Sequence, residues 1–130
     1  MPENNEALRK RVADFAFGVL RFVRALRRDV ASDSIIKQIA RCAGGVSSNY
    51  RDACAARSMQ ESVTRLTLAI AELDEIDRWF WMAAQLRLGD PARLSALEAE
   101  AKQLRATLAQ FVDAARRGLR QESTTRRNLR

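Results

Sequence analysis

Histidine is absent from this sequence. That removes the usual general base of a catalytic site and the commonest metal ligand together. There are only two cysteines, Cys42 and Cys54. Twelve residues apart on one predicted helix, they stand about 18 Å from each other, too far for a disulfide. Both are expected to act as small core or interface residues in a reducing compartment. Two prolines and five glycines are too few for a sheet with many turns. Eight aromatic residues leave most of the interior to Leu, Ala, Val and Ile. No stretch approaches the roughly 20 apolar residues that cross a bilayer. The polar start, Met1-Pro2-Glu3-Asn4-Asn5-Glu6, lacks the apolar core of a signal peptide, so a cytoplasmic protein is expected.

The 130 residues present fit one domain, long enough to bury a core without a metal or disulfide staple. The net charge is +7, and 20 of the 23 basic residues are arginine; the lysines are Lys10, Lys37 and Lys102. Arginine's planar fork of donors suits phosphates and carboxylates. Such a balance raises the prospect of an anionic partner, nucleic acid above all, although a charge run also serves simply as a solvated face.

Apolar residues recur at steps of three and four through four stretches. One seam runs through Leu8, Val12, Phe15, Val19, Phe22 and Leu26, and another through Leu94, Leu97, Ala101, Leu104, Leu108, Phe111 and Ala115. This spacing lays an apolar stripe along one side of a helix. The first helix is predicted from Asn5 to about Arg28, capped by Asn4 or Asn5. Asp29 to Asp33 make a connection, with Ser32 or Asp33 capping the second helix. That helix carries Ile36, Ile39, Ala43, Val46, Tyr50 and Ala53 and ends near Arg57. Ser58 and Glu61 form a capping box for the third, which continues through Val63, Leu66, Ile70, Leu73, Phe80 and Ala84. Leu88-Gly89 gives a left-handed ending, and Asp90-Pro91 opens the fourth helix, predicted to stop near Gly118. Residues 119–130 hold no sustained seam and are expected to be a disordered basic tail. Short connections between long helices force antiparallel neighbours, so the fold class is all-α: an up-down-up-down four-helix bundle over residues 1–118.

Gly44 and Gly45 fall mid-helix, where each costs about 1 kcal/mol relative to alanine. Close approach of a neighbouring backbone is the favoured reason, because Ala40, Ala43, Ser47 and Ser48 keep the surroundings small. The acidic group Glu72, Asp74, Glu75 and Asp77 lacks the histidine partners of a carboxylate-bridged metal pair; these groups are expected to pair with arginines, within the bundle or across a subunit contact. No residue set supports nucleophilic catalysis, and neither an enzyme, a metal nor a cofactor is expected. In Trp79-Phe80-Trp81, Phe80 fits the internal seam and at least one tryptophan must lie on a flank, along its own bundle or in a subunit interface. The first helix shows Arg9, Lys10, Arg11, Arg21, Arg24, Arg27 and Arg28 against Glu6 and Asp14, and residues 116–130 hold six arginines against one glutamate. Arg21, Arg24, Arg28, Arg116, Arg117 and Arg120 are the candidate nucleic-acid contacts.

The run Ala40-Arg41-Cys42-Ala43-Gly44-Gly45-Val46-Ser47-Ser48-Asn49-Tyr50-Arg51-Asp52-Ala53-Cys54 resembles the signature of the bacterial four-helix bundle proteins related to the 23S ribosomal RNA intervening-sequence proteins. Small residues, a valine, an Asn-Tyr pair (Asn49, Tyr50) and an acidic-Ala pair typify that signature, and a serine, here Ser58, opens the next helix. Asp52 stands where the family more often has glutamate. Glu72, Asp74-Glu75 and Trp79 match a second signature, and the likeness covers about residues 7 to 115. The resemblance extends to accessory proteins of diversity-generating retroelements. It implies a basic homopentamer, with RNA or DNA and a reverse transcriptase as partners. A polar contact between Asn49 and Glu72 is a further expectation, from their place beside the seams. The resulting reading is a non-enzymatic oligomeric bundle that binds RNA or DNA by arginine–phosphate contacts. Its rival is a protein-interaction scaffold with no nucleic-acid role.

Overall fold

The computed structural model describes residues 5–130, and every regular element among them is an α-helix. They are α1 (Glu6–Arg24), α2 (Val30–Cys54), α3 (Met59–Gln85) and α4 (Pro91–Asn128). Each helix packs on the next in sequence, α2 against α3 most extensively, and α1 closes the ring on α4. Cross-helix pairs fix the antiparallel register. Arg41 reaches Glu75 while Asp52, eleven residues on, lies 3.9 Å from Arg65. Arg11 pairs with Glu100 at 3.0 Å, and Gly18 faces Leu97.

The predicted seams form the core, except that α3 buries Ala69, Ile76 and Ala83 where the sequence pattern put Ile70, which is half-buried, and Ala84, which is exposed. Val12, Val19 and Phe22 of α1, Ile39 and Val46 of α2, Leu66, Leu73, Ile76 and Phe80 of α3, and Leu104 and Leu108 of α4 are all fully buried. Each such side chain contributes about 1.5–3 kcal/mol relative to exposure. In α4 the seam rotates slightly: Val112 is buried, and Leu97, Phe111 and Ala115 pack only partly against the core. Two buried serines are both satisfied. Ser62 Oγ donates to the Ala53 carbonyl at 3.2 Å, tying the start of α3 to the end of α2.

The caps differ in detail from the pattern in the sequence. Asn5 caps α1, accepting from the Leu8 N–H at 2.9 Å; Asn4 lies outside the described residues. α1 ends at Arg24 rather than Arg28, because Leu26 turns back into the core. α2 starts at Val30, capped by Asp29 instead of Ser32 or Asp33. Asp29 accepts from the Ser32 N–H, and the Ser32 hydroxyl accepts from the Asp29 N–H, a reciprocal box with the serine in the third helical position. Ser58 caps α3 through the Glu61 N–H, yet the Glu61 carboxylate reaches back one residue further, to the Arg57 N–H. α3 ends earlier than Leu88-Gly89 implies: Arg87 takes the left-handed cap position (φ 56°). The Arg87 and Leu88 N–H groups bond to the Ala84 and Ala83 carbonyls.

The fourth helix departs furthest from expectation. It does not stop near Gly118 before a disordered tail but continues to Asn128. Residues 120–130 are all exposed. The missing seam removes a packing partner; it does not remove the helix propensity of Leu, Arg, Gln and Glu, which fill six of the ten positions 119–128.

Candidate functional site

The residues singled out by the sequence separate into an internal clamp and two basic ends. The clamp joins α2 to α3. Arg41 lies four residues before Gly45 on one face of α2, and Glu72 and Glu75 lie three apart on α3. The Arg41 guanidinium pairs with Glu75 and lies 3.5 Å from Glu72 Oε2 and from Cys42 Sγ. Trp79, half-buried, donates its indole N–H to Glu75 at 3.4 Å. Gly45 is required here: a Cβ would sit 2.8 Å from Glu72 Cδ. Close approach therefore holds for Gly45, through a side chain and not a backbone. It fails for Gly44, where a Cβ would meet nothing within 4 Å. Tyr50 is buried in the core, and Asn49 is half-buried one turn beyond Gly45. The polar contact expected between Asn49 and Glu72 is not made as a hydrogen bond among the described residues; Glu72 pairs with Arg41.

Cys42 Sγ and carboxylate oxygens of Glu72 and Glu75 lie within 4.8 Å of one another, three donors of a kind that holds divalent cations. Arg41 already compensates both carboxylates. Burial, then the charges of Glu75 and Glu72, push the Cys42 thiol up to about 12. The cluster is thus satisfied without an ion and works as a lock between helices. Arg41 and Cys42 are the members that sequence reasoning passed over; the four-residue spacing from Arg41 to Gly45 was the available signal. Asp74 follows the same logic, accepting from Arg105 of α4 at 2.5 Å, but among the described residues Asp77 has no arginine within ion-pair distance.

The candidate arginines do not form one surface. Gly89, between α3 and α4, packs against Phe22 and Leu26, so the α1–α2 and α3–α4 turns share one end of the bundle. Arg21 and Arg24 lie toward that end, with exposed Arg27, Arg87 and Arg93, which the sequence pattern did not assign. Arg116, Arg117 and Arg120 lie toward the other end, about 38–44 Å along α4 from its start. Arg28 is spoken for: it pairs with Asp33, which Lys37 also contacts at 3.2 Å. Arg21 stacks over the exposed Phe17 ring, 5.7 Å from its centroid. The acids near the first end serve the fold, since Asp29 and Asp90 are helix caps. The Ser32 N–H and hydroxyl hold the Asp29 carboxyl below its ordinary value. Among the described residues, Arg21, Arg24, Arg116, Arg117 and Arg120 have no carboxylate within ion-pair distance.

Among the described residues no helix is long and apolar enough to cross a membrane. No curated protein matches the chain. One similar solved structure is a 1.70 Å crystal structure from Bacteroides thetaiotaomicron VPI-5482, of a protein of unknown function from the S23 ribosomal protein family. It is 17% identical, with a TM-score of 0.73, over 81% of this chain and 97% of that one. At that identity the likeness concerns the fold. The family profile described as 23S rRNA-intervening sequence protein matches residues 5–110, which takes in the clamp and all but the end of the bundle. The chain belongs to the 23S rRNA-intervening sequence protein family.

Proposed function

We propose that this protein is a non-enzymatic, self-associating four-helix bundle that binds RNA or DNA through arginine–phosphate contacts at the two ends of the bundle. One observation carries the reading: most of the acids are spent inside the fold, on caps and on ion pairs such as those with Arg41 and Arg105, while arginines at both ends keep their charge for a partner. A guanidinium without an internal carboxylate is free to offer two parallel donors to a phosphate. Phosphate contacts carry no sequence information, so selectivity from these residues is weak. Exposed Phe17 and Leu20 on α1 and Leu68, Trp81 and Met82 on α3 support self-association, with a pentamer the assembly that the family resemblance favours. The same resemblance makes a reverse transcriptase the natural protein partner.

Fluorescence anisotropy with labelled mixed-sequence RNA and DNA at low salt tests the binding. The parent protein binds, and the pairs Arg21→Glu/Arg24→Glu and Arg116→Glu/Arg117→Glu each weaken it. A parent protein that binds neither probe defeats the reading. Charge reversal that breaks the assembly, in a protein indifferent to nucleic acid, favours a pure interaction scaffold. Light scattering reads the assembly separately, and a monomer at every concentration removes self-association.

A further inference from the structure

The family profile ends at residue 110, but α4 runs on to Asn128. Arg105 is pinned to Asp74, and the antiparallel register then carries α4 past Met59, the first residue of α3, at about residue 120. Exposure of every residue from 120 onward agrees. The overhang is about 13 Å of helix that packs against no other helix among the described residues. A helix polar on all sides gains nothing from packing, and its residues here are Arg, Gln, Glu, Ser, Thr and Asn.

Its charges are arranged. At about 100° per residue, Arg116, Arg120 and Arg127 fall within about 40° of one another. Arg117 and Arg126 flank them, and the five span about 180°. Glu122, Gln121, Thr125 and Asn128 lie outside this arc. None of the five arginines has a carboxylate within ion-pair distance among the described residues.

We infer that this overhanging helix, together with the exposed turn of α4 that leads into it, enters the major groove of B-form duplex DNA, with Arg116, Arg120 and Arg127 facing the groove floor and Arg117 and Arg126 facing the phosphates of its two walls. The inference rests on the nucleic-acid reading above and names its ligand. A helix about 10–12 Å across fits the roughly 12 Å major groove of B-DNA. The deep, narrow major groove of A-form RNA does not admit it. Single strands are bound through aromatic platforms, and residues 112–130 contain no aromatic side chain.

The test compares the full chain with Thr124→Pro. The substitution keeps every arginine but breaks the overhanging helix, since the Thr124 N–H is lost and the ring clashes with the preceding turn. Thr124 is exposed and its hydroxyl bonds only to the Arg120 carbonyl, so the bundle is left intact, which an unchanged Tm verifies. The parent binds a DNA duplex more tightly than the RNA duplex of the same sequence. Thr124→Pro loses roughly tenfold in DNA affinity, and the preference with it. Equal DNA binding by both proteins overturns the inference and makes the arginines a flexible polyelectrolyte. A parent that favours the RNA duplex, or a single strand, overturns it too. A parent that binds no probe removes the nucleic-acid reading itself.

Discussion

Gly44 and Gly45 are neighbours in α2, yet alanine should act differently at each. At Gly44 a Cβ meets nothing within 4 Å. Gly44→Ala therefore gains helix propensity alone, about 1 kcal/mol. At Gly45 the new Cβ lies 2.8 Å from Glu72 Cδ and 3.0 Å from Cγ and Oε1. Gly45→Ala gains the same propensity but drives Glu72 out of its rotamer, at about 0.5–1.5 kcal/mol, and away from Arg41. The terms cancel or leave the variant weaker. The two variants should therefore differ by about 1 kcal/mol or more, which is about 3–5 °C in Tm for a chain of this size. Urea unfolding followed by circular dichroism, at one protein concentration, measures it. Gly44→Ala raises the midpoint with the slope unchanged; Gly45→Ala does not. In a Glu72→Ala background the obstruction is gone, and Gly45→Ala should recover about 1 kcal/mol. Equal gains at both glycines with Glu72 in place would refute the reasoning.

Gly89→Ala should destabilise the bundle by about 2–4 kcal/mol, from left-handed strain and overpacking, read as a fall in the urea midpoint. Its backbone has φ 67°, and a Cβ would lie 2.7 Å from Leu26 Cδ2 and 2.8 Å from Phe22 Cε2. Alkylation at mildly alkaline pH, read by mass spectrometry, should modify half-exposed Cys54 first and reach Cys42 only on unfolding, because the Cys42 thiol is buried and raised to about 12. Asp29 has a folded pKa below its ordinary 3.8, so its charge stabilises the fold above that value, and the contribution is lost as pH falls through the lowered one. Asp29→Asn keeps a capping oxygen without the titration; its Tm should lie below the parent's near neutrality and converge with it in acid, whereas a constant gap would count against the cap's charge.

The seams were legible because burial in a bundle repeats with the helix, and Val19, Ile39, Phe80 and Leu108 lie where that period puts them. The caps were less so. Asp29 with Ser32 reverses the usual residue types of a capping box, and exposed Val30 disguises the start of α2. Arg87 at the left-handed cap hides a position that glycine normally marks. The clamp depends on how α2 and α3 slide past each other. Spacing along one helix puts Arg41 with Gly45, but only the register of the pair brings Glu72 and Glu75 to them. The division of the arginines between two ends followed from the antiparallel topology itself, once the turns were placed. The overhang of α4 did not, because absence of a seam reports on packing and not on helicity.

The salt dependence of binding to a mixed-sequence duplex tests the central claim most directly. If arginine–phosphate contacts hold the duplex, the logarithm of the association constant falls linearly with that of salt concentration between about 50 and 200 mM, with a slope of about −0.9 for each phosphate neutralised and so about −1.8 from Arg117 and Arg126 alone. No association at low salt, or an affinity indifferent to salt, would contradict the account.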